Sequence, residues 1–82
     1  MLRNELENKI EKWSHKLDEK LNRIRAVDDH GERILENAEA YRRDSDHFFE
    51  NDELIESFES LIWAWAFLEI GENLNHLATI DE

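Results

Sequence analysis

The ten residues from Leu61 to Ile70, LIWAWAFLEI, form the most apolar stretch of the chain. Nine of their side chains are apolar, three are large aromatics, and Glu69 carries the only charge. The segment WAWAF alternates with the period of a strand. The alternating small residue is Ala, however, and the flanking apolar residues keep helical spacing, so the stretch predicts the middle of a buried helix.

This helix, helix 3, is predicted to run from about residue 53 to residue 77 and to carry two apolar stripes on opposite sides. The first stripe holds Leu54, Phe58, Leu61, Ile62, Trp65 and Leu68, and the second holds Trp63, Phe67, Ile70, Leu74 and Leu77. One stripe is enough for a bundle helix, and a long exposed aromatic stripe is unusual on a monomer. The second stripe therefore predicts a homodimer interface. The alternatives are cover by the same chain, or a break at Gly71 that folds the last stretch back.

Helix 1 is predicted over about residues 2–27, because apolar residues recur there every three or four positions. These residues are Leu2, Leu6, Ile10, Trp13, Leu17, Leu21, Ile24 and Val27. One edge of this stripe is basic and holds Lys9, Lys12, Lys16, Lys20 and Arg23. We expect the basic edge to lie against helix 3, with Trp13 and Trp65 buried on facing stripes. Aromatics at helical spacing favour a core over a ligand box.

Helix 2 is predicted over about residues 32–50, with Ile34, Ala38, Tyr41, Ser45 and Phe48 on its apolar side. Gly31 can provide a left-handed C-cap for helix 1. Asn51 or Asp52 can cap helix 3. The 82 residues thus predict one all-α domain, a three-helix up-down-up bundle with short loops.

Composition and charge exclude several classes of protein. The chain has no Cys, which excludes disulfides and thiolate zinc sites and fits a reducing cytoplasm. All ten Lys and Arg lie between Arg3 and Arg43, and residues 44–82 carry eleven acids and no Lys or Arg. That acidic half would repel nucleic acid and anionic lipid. A solvated acidic surface is the simpler interpretation, and a docking surface for a basic protein partner is the alternative. The apolar run is about half the 20 residues that a membrane-spanning helix needs.

Four short patterns between residue 34 and about residue 77 resemble those of a known family. They are Ala38 with Tyr41, Phe48-Phe49 before the acidic turn at 50–52, Ser57-Phe58-Glu59-Ser60-Leu61, and Phe67-Leu68-Glu69-Ile70-Gly71. In this order they resemble the archaeal family catalogued as domain of unknown function 357. Asn51 stands where the family usually has Gly, and Asn tolerates a left-handed conformation. The resemblance implies a small three-helix protein from an archaeon and supplies no activity.

Few residues suggest chemistry. Glu69, Glu72 and His76 share a helical face and could bind a transition metal, and Asp44 lies one turn from His47. The spacing of Arg42 and His47 resembles the Arg…His motif of the helical HEPN ribonucleases. Exposed polar residues explain these patterns more simply, so we predict no catalytic residue, metal or cofactor. The predicted function is a non-enzymatic helical module acting through self-association or protein contacts. The alternative is a small metal-binding or RNA-cleaving enzyme that uses His47 or His76.

Overall fold

A computed structural model describes residues 1–80 and has three long helices and two short strands. These are α1 (Leu2–Leu21), β1 (Ile24–Ala26), α2 (Asp29–Glu50), α3 (Leu54–Asn73) and β2 (Leu77–Thr79). Ion pairs join Arg3 to Asp52 and Lys20 to Glu72, close to the two ends of α1 and α3, so these two helices run parallel. Helix α2 runs antiparallel to both, with Ser45 beside Ser57 and Ile34 beside Gly71. The predicted all-α, up-down-up bundle is confirmed. Sequence analysis did not predict β1 and β2, which pair antiparallel with Ile24 opposite Thr79.

The prediction that helix 1 reaches residue 27 is wrong, because α1 ends at Leu21. Asn22 closes the helix by donating its backbone N–H to the Asp18 carbonyl at 3.1 Å. Ile24 continues the apolar spacing and is buried, but it does so from a strand. Helical spacing cannot separate these cases when a β-branched residue finds a partner strand far along the chain.

Gly31 has a different role from the predicted cap of helix 1. It lies in the first turn of α2, which begins at Asp29 rather than residue 32, and its backbone is not left-handed. Asp28 caps this helix, since its Oδ1 accepts the Gly31 N–H at 2.8 Å. A Cβ added at Gly31 would lie 2.0 Å from the carbonyl oxygen of His76. Glycine is therefore needed here for a close backbone approach.

The turns at either end of α3 also differ from prediction. Asp52, with φ of 63°, is the left-handed residue before α3, whereas Asn51 closes α2 and donates its side chain to the His47 carbonyl. Neither residue caps α3, which starts after Glu53 without a side-chain cap. The helix passes through Gly71 and ends at Asn73, and the left-handed Asn75 then turns the chain back into β2. The last stretch therefore folds back, as in the alternative given above, but the turn lies at Asn75 and not at Gly71.

Two serines join α2 to α3 in the buried seam between these helices. The Ser45 hydroxyl donates to the Ser57 carbonyl, and the Ser57 hydroxyl donates to the Ser45 carbonyl, each at 2.8 Å. Both side chains are buried, and Ala38 and Ala64 are also small buried residues of these two helices. Small side chains let the two backbones approach closely. The reciprocal hydrogen bonds satisfy hydroxyl groups that would otherwise be costly to bury.

Replacing Ser45 with Ala is expected to destabilise the fold relative to the same change at Ser14. Ser14 lies on α1 and makes no hydrogen bond through its side chain within residues 1–80. Both substitutions raise helix propensity by the same amount. The difference between their free energies of unfolding therefore measures the buried serine hydrogen bonds, which we expect to contribute about 0.5–1.5 kcal/mol. Urea denaturation measures this difference. Equal free energies of unfolding for the two variants would contradict a stabilising role for the serine pair.

Helix α1 contacts α3 through an aromatic pair and through Lys20. The rings of Trp13 and Trp65 meet edge to face, with centroids 6.0 Å apart. Trp13 is 36% exposed, so the prediction that it is buried is wrong. Of the four lysines on the basic edge, Lys20 alone pairs with an acid of α3 within residues 1–80, reaching Glu72 at 2.9 Å. The expected contact between the basic edge and α3 is therefore confined mainly to the end of α1.

Candidate functional site

Four residues of the predicted interface lie together on the outside of α3, and one of them, Leu74, directly follows the helix. Trp63 is 56% exposed, Ile70 52% and Leu74 60%, and Phe67 between them is half-buried. We call these four residues the outer face of α3. Leu77 was predicted to belong to them but is 3% exposed, because β2 folds it into the core of the same chain. Leu77 is therefore unavailable to another molecule.

Helix α2 contributes a third ring to this surface. The ring of Tyr41 stacks on Phe67 at 5.6 Å and on Trp63 at 6.2 Å between centroids, with 22° between the planes in each pair. Stacked rings of this kind hold one another in place. The outer face of α3 is thus a pre-ordered aromatic surface. Sequence analysis placed Tyr41 on the apolar side of helix 2 but did not connect it with Trp63.

Within residues 1–80, no helix is both long enough and apolar enough to cross a bilayer. The most apolar helix, α3, also carries Glu56, Glu59, Glu69 and Glu72. Exposed apolar side chains as large as Trp63, Ile70 and Leu74, grouped on one solvent-exposed surface, call for a physical explanation.

The structure does not gather Glu69, Glu72 and His76 into a metal site. Glu72 binds Lys20 and accepts a hydrogen bond from the Thr79 hydroxyl at 2.5 Å. The hydroxyl first, and then Lys20, lowers the pKa of the Glu72 carboxyl. His76 lies past the end of α3 and contacts Asp28 instead. In the described part of the chain, no three His, Asp or Glu side chains form a metal-binding group.

Arg42 and His47 do not present the features of a ribonuclease site. The Arg42 guanidinium donates to both Asp18 carboxylate oxygens, at 2.8 and 3.0 Å, and to Asp46 at 2.6 Å. The hydrogen bond to Asp18 is the main cause of the raised pKa of Arg42. Two carboxylates therefore surround the cation that a phosphate would need. Arg42 joins α1 to α2, which is a structural role.

A polar cluster that sequence analysis missed lies at the start of α2. The Asp28 carboxylate accepts from the Gly31 backbone through one oxygen and contacts His76 Nδ1 at 2.7 Å through the other. The His30 ring packs against that of His76 at 5.1 Å, and Arg33 Nη2 lies 2.7 Å from His30 Nδ1. Asp28 and His76 are far apart in sequence, so no local signal connects them. The cluster fastens the turn after α3 to the start of α2.

Acidification is expected to weaken this attachment. The backbone bond from Gly31, and next the contact with His76, lower the pKa of Asp28 from its usual value. A folded-state pKa below the unfolded value of about 3.9 stabilises the fold at higher pH, and this contribution is lost as the pH falls through that range. As the pH is lowered from about 5 to about 2, the free energy of unfolding should therefore decrease less for Asp28→Asn than for the parent. Denaturant unfolding at several pH values measures this, with the exposed neighbour Asp29→Asn as the control. Parallel curves for the parent and Asp28→Asn would contradict the assignment.

The chain is similar to protein AF1782 from Archaeoglobus fulgidus, which has a crystal structure. The two superpose with a TM-score of 0.87 at 35% sequence identity, over 96% of this chain and 99% of that one. No curated protein matches the sequence. Residues 12–77 match the family described as protein of unknown function (DUF357), to which AF1782 is also assigned. The resemblance found in the sequence motifs is confirmed, and the chain belongs to the DUF357 family.

Proposed function

We propose that this protein is a non-enzymatic helical module that forms a homodimer through the outer face of α3. The observation that carries the proposal is the exposure of Trp63, Ile70 and Leu74 on one side of a single helix, each by more than half. Interface cores are enriched in aromatic residues and depleted in charge, as this face is. Burying it would remove apolar surface from water at roughly 25 cal/mol per Å².

A second copy fits this face when the two α3 helices run antiparallel. Pairing centred between Ala66 and Phe67 places Trp63 of each copy opposite Ile70 of the other. The same pairing sets Glu59 opposite Leu74, so no carboxylate on this side of the helix faces another carboxylate. A parallel arrangement would set Glu59 against Glu59. A twofold axis through the middle of α3 is therefore the arrangement that the residue pattern favours.

Charge predicts how such a dimer responds to salt. Each copy carries a net charge of −11, so two copies repel one another at long range. Salt shortens that range to about 3 Å at 1 M. Homodimerisation should therefore strengthen as salt is added. Binding of a basic protein to the same acidic half would weaken instead, which separates the two kinds of partner.

The proposal is tested by sedimentation equilibrium at micromolar concentration, in low and high salt. We expect a dimer whose affinity increases with salt. The Ile70→Glu substitution should dissociate this dimer without changing the helical circular dichroism signal. Ile55→Glu is the matched control, since Ile55 is an exposed isoleucine near the other end of the same helix. A monomeric mass at every concentration would defeat the proposal, as would equal dissociation by the two variants.

A further inference from the structure

A second feature of α3 lies on a different side of the helix from its outer face. A cleft of about 290 Å³ opens between α1 and α3. It is lined by Trp13, Phe58, Leu61, Ile62, Trp65 and Glu69. Small-molecule sites usually occupy about 300–1,000 Å³, so this volume suits one small chemical group. The lining is aromatic and aliphatic apart from one carboxylate.

The aromatic walls of the cleft stand at right angles. The rings of Trp13 and Trp65 are 90° apart, and Phe58 adds a third, half-buried ring. The face of an indole ring attracts cations through its quadrupole. Trp13 already shows this property, since Lys16 Nζ lies 4.9 Å and Lys12 Nζ 5.9 Å from its ring centroid. Neither lysine lines the cleft.

Glu69 gives the cleft an uncompensated negative charge. Its carboxylate makes no hydrogen bond or ion pair with any residue among 1–80. Helix α3 contains no Lys or Arg that could neutralise it. A hydrated metal ion or a plain ammonium ion would lose several water molecules against the apolar walls and could regain interactions only at Glu69. An ammonium ion bearing methyl groups avoids this cost, because its methyl groups contact the rings while its charge faces Glu69.

Trp65 also carries an unpaired polar group. Its indole N–H is the only buried side-chain polar atom within residues 1–80 that lacks a hydrogen-bond partner. A buried tryptophan N–H usually finds an acceptor.

From these observations we propose that the cleft between α1 and α3 binds a quaternary or methylated ammonium group between Trp13, Trp65 and Glu69. The rings supply the walls, and the carboxylate supplies the charge preference. The ligand is a small molecule that carries such a group. This site is separate from the outer face of α3 and does not depend on dimerisation.

The test compares choline with its uncharged isostere, 3,3-dimethylbutan-1-ol. Both have nearly the same shape and both carry a hydroxyl oxygen, so only the charge differs. Binding is followed by the NMR signals of the tryptophan indole N–H groups in the full chain. Choline should shift the signals of Trp13 and Trp65, leave that of Trp63 in place, and bind at least about tenfold more tightly than the isostere.

Variants assign the two contributions. Glu69→Gln should weaken choline binding about two- to fivefold, and Trp13→Leu about tenfold, while Trp63→Leu on the outer face should leave it unchanged. Circular dichroism checks that each variant is folded, and the exposed Glu69→Gln keeps the test valid if Trp13→Leu is not. Equal binding of choline and the isostere would overturn the proposal in favour of a merely apolar cleft. Absence of binding by both would reduce Trp13 and Trp65 to packing residues.

Discussion

Replacing Leu77 with Ala is expected to lower the free energy of unfolding by about 2–5 kcal/mol, the usual cost of truncating a buried leucine. Leu77 is 3% exposed and packs over Gly71, where an added Cβ would come within 2.5 Å of its Cδ1. The truncation would leave a cavity at the junction of β2 with α3. Small domains have only about 5–15 kcal/mol of stability in total, so this is a large loss. Urea denaturation gives the value directly.

Leu74→Ala is the matched control, three residues earlier and of the same residue type. Leu74 is 60% exposed, so its truncation should change the free energy of unfolding of the protomer by less than about 0.5 kcal/mol. The same change should weaken the proposed dimer, which Leu77→Ala should do only by unfolding the chain. Equal costs at the two positions would mean that β2 does not hold Leu77 in the core.

Replacing Gly31 with Ala is expected to cost about 2–3 kcal/mol, although the same change inside an ordinary helix stabilises by up to about 1 kcal/mol. The added Cβ would meet the His76 carbonyl oxygen at 2.0 Å and the Ala26 Cα at 3.3 Å. Both obstacles are backbone atoms, which cannot rotate away as a side chain can. The turn at His76 would have to move from α2. In a domain of this size the melting temperature should fall by roughly 10–20 °C.

Two other substitutions serve as controls for Gly31→Ala. Glu32→Ala, at the exposed next residue, should change the melting temperature by only a few degrees. Gly71→Ala should fall between the two, because the nearest obstacle is the end of the Leu77 side chain. A Gly31→Ala variant that melts at or above the parent would show that the turn and α2 are not in such close contact. Calorimetry distinguishes these outcomes.

Local patterns predicted the helices because each helix is encoded by its own residues. Apolar residues every three or four positions identified all three, and Ala at the alternating positions of WAWAF correctly favoured a helix over a strand. The errors occur where a distant segment decides the structure. Ile24 lies in a strand because Thr79 pairs with it, and Gly31 is required because His76 passes beside it. Neither neighbour can be inferred from the sequence around these residues.

For the candidate surfaces too, features set by one helix could be predicted and features set by distant segments could not. The exposure of Trp63, Ile70 and Leu74 followed from counting residues around a helical wheel, because three helices leave one side of α3 uncovered. Leu77 also matches this side of the helical wheel. The helix ends before Leu77, however, and the left-handed Asn75 turns the chain into β2. The cleft beside Trp65 depends on how far α1 stands from α3. No spacing within a single helix encodes that distance.

The two-stranded ribbon sets an order of events in folding. Ile24 and Thr79 are separated in sequence by the whole of α2 and α3, so their pairing closes one of the longest loops in the bundle. The antiparallel pair of α2 and α3, joined by a short turn, can form beforehand from contacts that are closer in sequence. Weakening the ribbon should therefore accelerate unfolding while leaving the folding rate nearly unchanged. We therefore predict that the strand pair forms late in folding and slows the unfolding of the native protein.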